Sequence, residues 1–261
     1  MFARLLEKFG QYIIAKFQSF GRIVLFFCIG VLHTVVPPFQ WSKTIDQIWF
    51  IGAKSMLVIA LTGLFTGMVL GLQGYSSLIK YGSEAALGSA LALTLVRELG
   101  PVFTAIMIAA RAGSAMAAEI GVMRVSEQID ALRTMHINPV RFLFTPRILA
   151  GLISFPLLTA LFNVIGITGG YVSGSIMLGI NRYVYMDTVI KSVYLNDITG
   201  GFIKSFVFGI VVCTICCYRG YYTHLYSGFG ARGVSLSTTN AVVQSCVTVL
   251  ICDYIITFFL V

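Results

Sequence analysis

Five long apolar segments dominate this chain and restrict it to a membrane. They cover about residues 48–74, 85–121, 143–178, 198–218 and 235–260, and each is long enough for a helix to cross a hydrocarbon core, which takes about 20 residues. Only 11% of the residues are charged, against about 25% in soluble domains. Five crossings and their connections fill most of the 261 residues. A nucleotide-binding or protease domain is therefore excluded from this chain.

Charge asymmetry predicts the orientation of the five segments. The connection between the second and third carries four arginines, at positions 124, 133, 141 and 147, and loops rich in Arg and Lys remain in the cytoplasm. By alternation, residues 75–84 and 179–197 lie outside. A further apolar run at about 20–36 follows a basic amphipathic stretch at 1–19. If that run crossed, the basic N-terminus would lie outside.

We therefore predict an all-α integral membrane protein with a single domain, 1–261. Residues 1–36 are expected to form an interfacial elbow helix in the cytoplasmic leaflet, and residues 48–260 a bundle of five spans. A six-span topology, in which 20–36 crosses, is the alternative. The net charge of +8 is attributed to cytoplasmic loops and anionic headgroups, and no nucleic-acid partner is expected.

The second segment is too long for one straight crossing. Its 37 residues would extend about 55 Å as a helix, and Gly100-Pro101 lies within it. Because proline removes a helical hydrogen bond and clashes with the preceding turn, we predict a kink or break near Arg97, Glu98 and Leu99.

Small residues recur every four positions in the first three spans, a pattern that lets helix backbones approach closely. The pattern fits packing within the chain or between two subunits. The positions are Gly63, Gly67 and Gly71; Ala109, Gly113, Ala117 and Gly121; and Gly166, Gly170 and Gly174.

Ionisable residues within spans are costly and are the first candidates for function. Lys204 and Asp253 are each expected about 9–11 Å from the external end, at about 1.5 Å per residue, and Arg97 and Glu98 flank the predicted break. These four residues form a neutral set that could contact a lipid headgroup or gate the bundle. A buried network that only fixes helix register fits equally well. For Arg111 and Glu119 we predict a structural ion pair or loop anchor.

Motifs for standalone catalysis do not occur in the sequence. It has no Gly-x4-Gly-Lys-Ser/Thr phosphate loop, no Gly-x-Ser-x-Gly elbow and no His-Glu-x-x-His motif. The three histidines lie on separate segments, and the six cysteines suggest neither disulfides nor a metal site. No catalytic residue, metal or cofactor is expected in this chain.

The cytoplasmic connection predicts an amphipathic helix over residues 122–136, ending at Asn138-Pro139. Its apolar face is formed by five residues spaced three or four apart: Val122, Val125, Ile129, Leu132 and Met135. Such a helix could dock in a groove of a cytoplasmic partner or lie on the membrane surface.

Several motifs together resemble those of the MlaE-type permeases, and the resemblance extends over nearly the whole chain. They are LVRELGP at 95–101, ARAGSA at 110–115, AEIG at 118–121, EQIDAL at 127–132, Asn138-Pro139 and Pro146-Arg147. The resemblance implies the membrane subunit of an ABC transporter in the inner membrane of Gram-negative bacteria. Such a transporter moves phospholipid between inner and outer membranes and maintains outer-membrane lipid asymmetry.

The resemblance also implies partners and residue roles. The expected assembly is a homodimer with a cytoplasmic ABC ATPase, which would bind ATP and Mg²⁺, a STAS-domain protein and a periplasmic hexamer of MCE-domain subunits. Residues 122–136 would be the coupling helix held by the ATPase, through Glu127, Gln128, Asp130 and Arg133. The lipid-binding or gating residues would be Tyr81, Arg97, Glu98, Lys204 and Asp253.

Two other classes of function remain as alternatives. A proton-coupled secondary transporter could use Glu98 or Asp253 as its proton carrier. A lipid-modifying membrane enzyme would need a reactive cluster at one depth, and the four charged residues include no histidine. The energy source distinguishes these classes from the permease.

Overall fold

The computed structural model describes residues 18–19, 21–32, 40–226 and 230–260 as an all-α membrane protein, with no β-strand in these ranges. Five helical segments have the length and hydropathy needed to cross a membrane. They are Trp41–Tyr81, Glu84–Val125, Pro139–Met177, Leu195–Tyr221 and Gly230–Leu260. The five spans predicted from the sequence are confirmed.

Within these segments the helices are numbered in chain order. They are α1 (Gly21–Leu32), α2 (Trp41–Ile51), α3 (Met56–Leu78), α4 (Leu87–Thr94), α5 (Gly100–Ile108), α6 (Ser114–Val125), α7 (Gln128–Thr134), α8 (Pro139–Tyr171), α9 (Arg182–Ser192), α10 (Leu195–Tyr221), α11 (Thr223–Tyr226) and α12 (Gly230–Leu260).

The described part of the N-terminal region is a short apolar helix, α1. At 1.5 Å per residue its length is about 18 Å, too short to cross a hydrocarbon core. Phe26 of α1 packs edge-on against Phe144 and Tyr218, with ring centroids 5.4 and 5.9 Å away. This agrees with an elbow helix at the predicted cytoplasmic end. The rest of the predicted 1–36 element, apart from residues 18–19, lies outside the described residues.

The glycines of the first span pack within the chain. A Cβ atom added at Gly67 of α3 would lie 2.7 Å from the carbonyl carbon of Gly166 and 2.9 Å from its Cα. Gly63 faces the carbonyl oxygen of Phe162 in the same way, at 3.0 Å. The backbones of α3 and α8 are therefore in direct contact, which only glycine permits.

The second span is one continuous helical segment that widens where a kink or break was predicted. Residues Leu95–Leu99 form a π-helical turn between α4 and α5, at the predicted position of the kink. Pro101 explains the disturbance, because it has no amide hydrogen to donate to the carbonyl of Arg97. Two further π-helical turns lie at Ala109–Gly113 and Val172–Met177.

The predicted helix over 122–136 is wrong as a single element. Helix α6 ends at Val125, Glu127 has a left-handed backbone with φ 59°, and α7 covers only Gln128–Thr134. The bend lets Asp130 reach back to Arg124, with 2.8 Å between Oδ1 and Nη1. Ile129 is fully buried beside it, so tertiary contacts override the continuous amphipathic pattern.

A helix also occurs in the connection 179–197, where the sequence predicted only an external loop. Helix α9 begins after Asn181, whose side chain accepts a hydrogen bond from the Tyr183 amide at 2.9 Å. Its Tyr185 is fully buried and donates to the Ile167 carbonyl at 3.0 Å. Burial raises the pKa of this phenol to about 12. Helix α9 thereby closes over the predicted external end of α4 and α8.

Candidate functional site

Lys204 is the centre of a charged cluster at the predicted external end of the bundle. Its side chain is 3% exposed, and its Nζ lies 2.5 Å from Glu98 Oε2 and 3.0 Å from Asp253 Oδ1. Nζ also donates to Thr257 Oγ1 at 2.7 Å and to the Arg97 carbonyl at 3.0 Å. Pro101 has no amide hydrogen to donate to the Arg97 carbonyl, so the Lys204 ammonium donates to it instead.

Glycine allows the lysine to reach this position. A Cβ atom at Gly201 would lie 2.6 Å from the carbonyl oxygen of Val96, so α10 approaches the π-helical turn closely at this residue. Lys204 follows three positions later, on the same face of α10. The wide turn, Pro101 and Gly201 together bring the ammonium to Glu98.

The side chain of Arg97 pairs with a residue outside the predicted set of four. Its Nε donates to Asp197 Oδ1 at 2.7 Å, while its carbonyl receives Lys204. The other oxygen of Asp197 accepts the Tyr194 amide at 3.0 Å and caps the start of α10. The arginine side chain is half exposed, and its guanidinium therefore lies at the mouth of the site.

Most of these groups line a cavity of about 290 Å³, the outer cavity, whereas Asp253 lies behind Lys204 and is not part of the lining. Its lining residues are Arg97, Glu98, Asn196, Asp197, Gly200, Gly201, Lys204, Thr257 and Leu260. An apolar groove of about 390 Å³ lies next to it and shares Gly201, with a lining that includes Val96, Ile167, Val189 and Phe202. A polar chamber and an apolar one therefore meet at one glycine.

Three of the four predicted charged residues meet directly, and Arg97 joins through its carbonyl. Tyr81 lies in the turn Ile79–Tyr81, is 83% exposed and does not line the outer cavity. Asn196, Asp197 and Thr257 were missed by the sequence analysis. The roles predicted for all five lipid-site residues stay predictions.

Arg111 and Glu119 do not pair with each other. Arg111 Nη1 donates to the Phe50 carbonyl and to Ser55 Oγ, both at 2.7 Å, and so ties the second span to the first. Glu119 Oε2 accepts from Arg147 Nη2 at 2.7 Å. Glu119 therefore forms a structural ion pair, with Arg147, and Arg111 acts as an anchor, which agrees with the structural roles predicted for these two residues.

At the opposite end, two of the predicted coupling residues make contacts within the chain. Asp130 pairs with Arg124 at 2.8 Å, and Arg133 Nη2 donates to the hydroxyl of Tyr221 at 2.6 Å. Arg124 Nε also donates to Nδ1 of His224 at 3.1 Å. Burial, with the charge of Arg124, lowers the pKa of His224, which agrees with a ring nitrogen that accepts from Arg124.

Glu127 and Gln128 differ from these two residues. Both are exposed, and neither side chain has a hydrogen-bond or ion-pair partner within the described ranges. Their position at the turn before α7 leaves them available to a second protein. The coupling role of all four residues stays a prediction.

Three of the six cysteines are small buried residues, Cys28 is exposed, and Cys246 and Cys252 are partly buried. All six are free, and Cys213, Cys216 and Cys217 are buried in α10. A hydrogen bond of 3.5 Å between Cys216 Sγ and Ser245 Oγ joins α10 to α12. In the described ranges no three His, Cys, Asp or Glu residues are placed to hold a metal ion.

The fold and site together define a multi-pass membrane protein with a charged cavity at one end of its bundle. The sequence profile of the family described as "Permease MlaE" matches residues 44–259. The chain belongs to the MlaE permease family. With five spans and this membership, it is a multi-pass protein of the inner membrane.

Named relatives cover nearly the whole chain. A "Probable ABC transporter permease protein" of Rickettsia typhi is 40% identical over 95% of this chain and 94% of its own length. The "Intermembrane phospholipid transport system permease protein MlaE" of Haemophilus influenzae is 38% identical over 98% and 97%. The Arabidopsis thaliana "Protein TRIGALACTOSYLDIACYLGLYCEROL 1, chloroplastic" is 37% identical over 92% of this chain and 65% of that protein.

Proposed function

We propose that this chain is the permease subunit of an ABC transporter that moves phospholipids between the inner and outer membranes and so maintains outer-membrane lipid asymmetry. Membership of the MlaE permease family supports this, as does the name of the Haemophilus influenzae relative, an intermembrane phospholipid transport system permease protein. The chain itself performs no chemical reaction in this proposal. The ATPase partner binds ATP and Mg²⁺ and hydrolyses the nucleotide.

The observation that carries the proposal is the pairing of the outer cavity with the apolar groove. A phospholipid has a charged headgroup and apolar chains, and the two chambers meet at Gly201. Arg97, half exposed at the mouth, supplies a donor for a phosphate. Charged residues at membrane depth are expected to mark a substrate path.

The proposed assembly follows the family. Two copies of this chain form a homodimer, with an ABC ATPase and a STAS-domain protein in the cytoplasm and a periplasmic hexamer of MCE-domain subunits outside. Only 11% of the most apolar 18-residue stretch of α12 is buried within one copy. The rest of that stretch is a long face for a second copy or for lipid. Tyr81, exposed at the same end as the outer cavity, is proposed to contact lipid from there.

The proposal is tested with the chain purified from its native membrane in mild detergent together with whatever remains bound. We expect an ATPase and an MCE-domain subunit in the mass spectrum, and transfer of fluorescent phospholipid from vesicles containing this complex only when ATP is supplied. Transfer driven by a proton gradient in vesicles that contain this chain alone would contradict the permease proposal and support a secondary transporter.

The coupling role is tested at the two exposed residues before α7. We expect Glu127→Ala with Gln128→Ala to lower ATP-driven lipid transfer about tenfold, which corresponds to a loss of about 1.4 kcal/mol at the contact. Thermal stability should not change, because neither side chain has a partner within the described part of the chain. ATP-dependent transfer and the melting temperature are measured on the same preparations.

Asp187→Ala is the matched control, an exposed acidic residue at the other end whose ion-pair partner among the described residues is the surface residue Lys191. It should leave both quantities unchanged. By contrast, Asp130→Ala should lower the melting temperature, since it leaves Arg124, whose side chain is 14% exposed, without its carboxylate. Wild-type transfer in the Glu127 and Gln128 double variant would show that these two residues do not couple the chain to the ATPase.

A further inference from the structure

We propose a second phospholipid-headgroup site at the opposite end of the bundle from the outer cavity. A pocket of about 240 Å³, the inner pocket, lies where α2, α6 and α8 meet. It is lined by two cations, Lys43 and Arg147, and by two carboxylates, Asp46 and Glu119. Such a set fits a headgroup that carries both a phosphate and an ammonium.

Arg147 is the buried cation of this pocket. It is 4% exposed, and its two terminal nitrogens are occupied by Glu119 Oε2 at 2.7 Å and the Leu143 carbonyl at 2.8 Å. Its Nε is buried and has no partner in the described residues. A buried donor without an acceptor is costly, so the pocket has an unfilled place for a phosphate oxygen.

Lys43 supplies the second positive charge. Its Nζ lies 3.0 Å from the centroid of the Phe142 ring, and within the described ranges it has no carboxylate partner. Because the ring face accepts no conventional hydrogen bond, N–H donors of the ammonium that do not point at the ring remain available to a ligand. Phe142 thereby holds Lys43 at the pocket that Arg147 also lines.

Two acceptor side chains of the inner pocket, Asp46 and Gln47, also lack a partner among the described residues. Asp46 lies three residues after Lys43 on α2 and forms no ion pair within the described ranges. Gln47 Oε1 is buried and receives no donor from the described residues. With Glu119 held by Arg147, these two side chains are the acceptors for a headgroup ammonium or hydroxyl.

The position of the pocket favours a membrane lipid over a soluble ligand. It lies at the predicted cytoplasmic end, and the exposed Trp41 and Trp49 project from the same helix, α2. Tryptophan is enriched at the level of lipid headgroups. The balanced charges favour a zwitterionic aminophospholipid over an anionic one. Glu119 and Arg147 both lie in family motifs, yet neither joins the outer cavity or the exposed part of the coupling segment.

The test uses the full chain in lipid nanodiscs with a phosphatidylethanolamine that keeps its free ammonium and carries a photoreactive group on the acyl chain close to the glycerol. After illumination, the labelled peptides are identified by mass spectrometry. We expect label on α2 and on the first turns of α8, and Lys43→Met should lower this label about tenfold through loss of a charge-assisted contact. Lys54→Met is the matched control, because this exposed lysine lies on the same segment outside the pocket.

Label at the outer cavity is the internal reference, so failure of this site is distinguishable from failure of the proposed transport function. If the wild type is labelled only at the outer cavity, or if Lys54→Met lowers the inner label as much as Lys43→Met, the proposal is overturned. Inorganic phosphate that displaces the inner label at millimolar concentration would identify a free-anion site instead of a lipid site. Asp46→Asn, with its side-chain volume kept, should also lower the label; if Lys43→Met fails to fold, this variant decides.

Discussion

Replacing Lys204 by methionine is expected to stop lipid transfer and to lower the free energy of unfolding by about 3–5 kcal/mol. Methionine keeps an unbranched side chain that is one atom shorter and removes the charge. Glu98 and Asp253 would then face each other without a cation, and the Arg97 carbonyl would lose its donor at a position where Pro101 supplies none. ATP-dependent transfer and thermal unfolding in detergent measure the two effects.

Lys191→Met is the control for this change. Lys191 is 75% exposed in a surface pair with Asp187, 2.8 Å long, and exposed pairs contribute little to stability. It should melt and transfer as the wild type does.

A triple variant separates the two roles of the cluster. Lys204→Met with Glu98→Gln and Asp253→Asn removes all three charges, so much of the stability should return while transfer stays low. Wild-type transfer by a stable triple variant would show that the cluster only fixes helix register.

Among the described glycines, Gly67 is expected to tolerate replacement by alanine least, because the added methyl group would meet backbone atoms. The new Cβ would overlap the carbonyl oxygen of Gly166 and lie 2.7 Å from its carbonyl carbon. Backbone atoms have no rotamer by which to move away, so the cost should reach or exceed the upper part of the usual overpacking range, about 3 kcal/mol. The measurement is the yield of monodisperse protein and its melting temperature.

Gly21→Ala is the matched control, since nothing lies within 4 Å of its added Cβ. Alanine is also the better helix former by about 0.8–1.0 kcal/mol, so this variant should be at least as stable as the wild type. Wild-type stability in Gly67→Ala would contradict the direct contact between the backbones of α3 and α8.

The sequence predicted the spans and most of the charged cluster because both depend on strong local costs. A charged group in hydrocarbon is expensive, so Lys204 and Asp253 were conspicuous in apolar segments. Depth counted from the span ends placed them together. Gly100-Pro101 likewise located the turn at Leu95–Leu99.

Residues that are uncharged, or that lie at the end of a span, are not marked in the sequence by a comparable energetic cost. Asp197 lies one residue before the predicted start of its span, and Thr257 is an ordinary polar residue within a helix. The division of 122–136 into two helices depends on Asp130 reaching Arg124 and on the burial of Ile129. These are tertiary contacts that a periodic pattern does not contain.

Every hydrogen on the Lys204 ammonium already has an acceptor. The group has three N–H donors, and the Arg97 carbonyl, Glu98 and Thr257 accept from it while Asp253 completes the pair. A ligand that reaches this nitrogen must therefore displace an internal acceptor, and its net gain is a difference between two similar interactions. A ligand bound in this way has a low affinity and a short residence time. In a protein that passes its cargo on, a short residence time at each stop favours onward movement over capture.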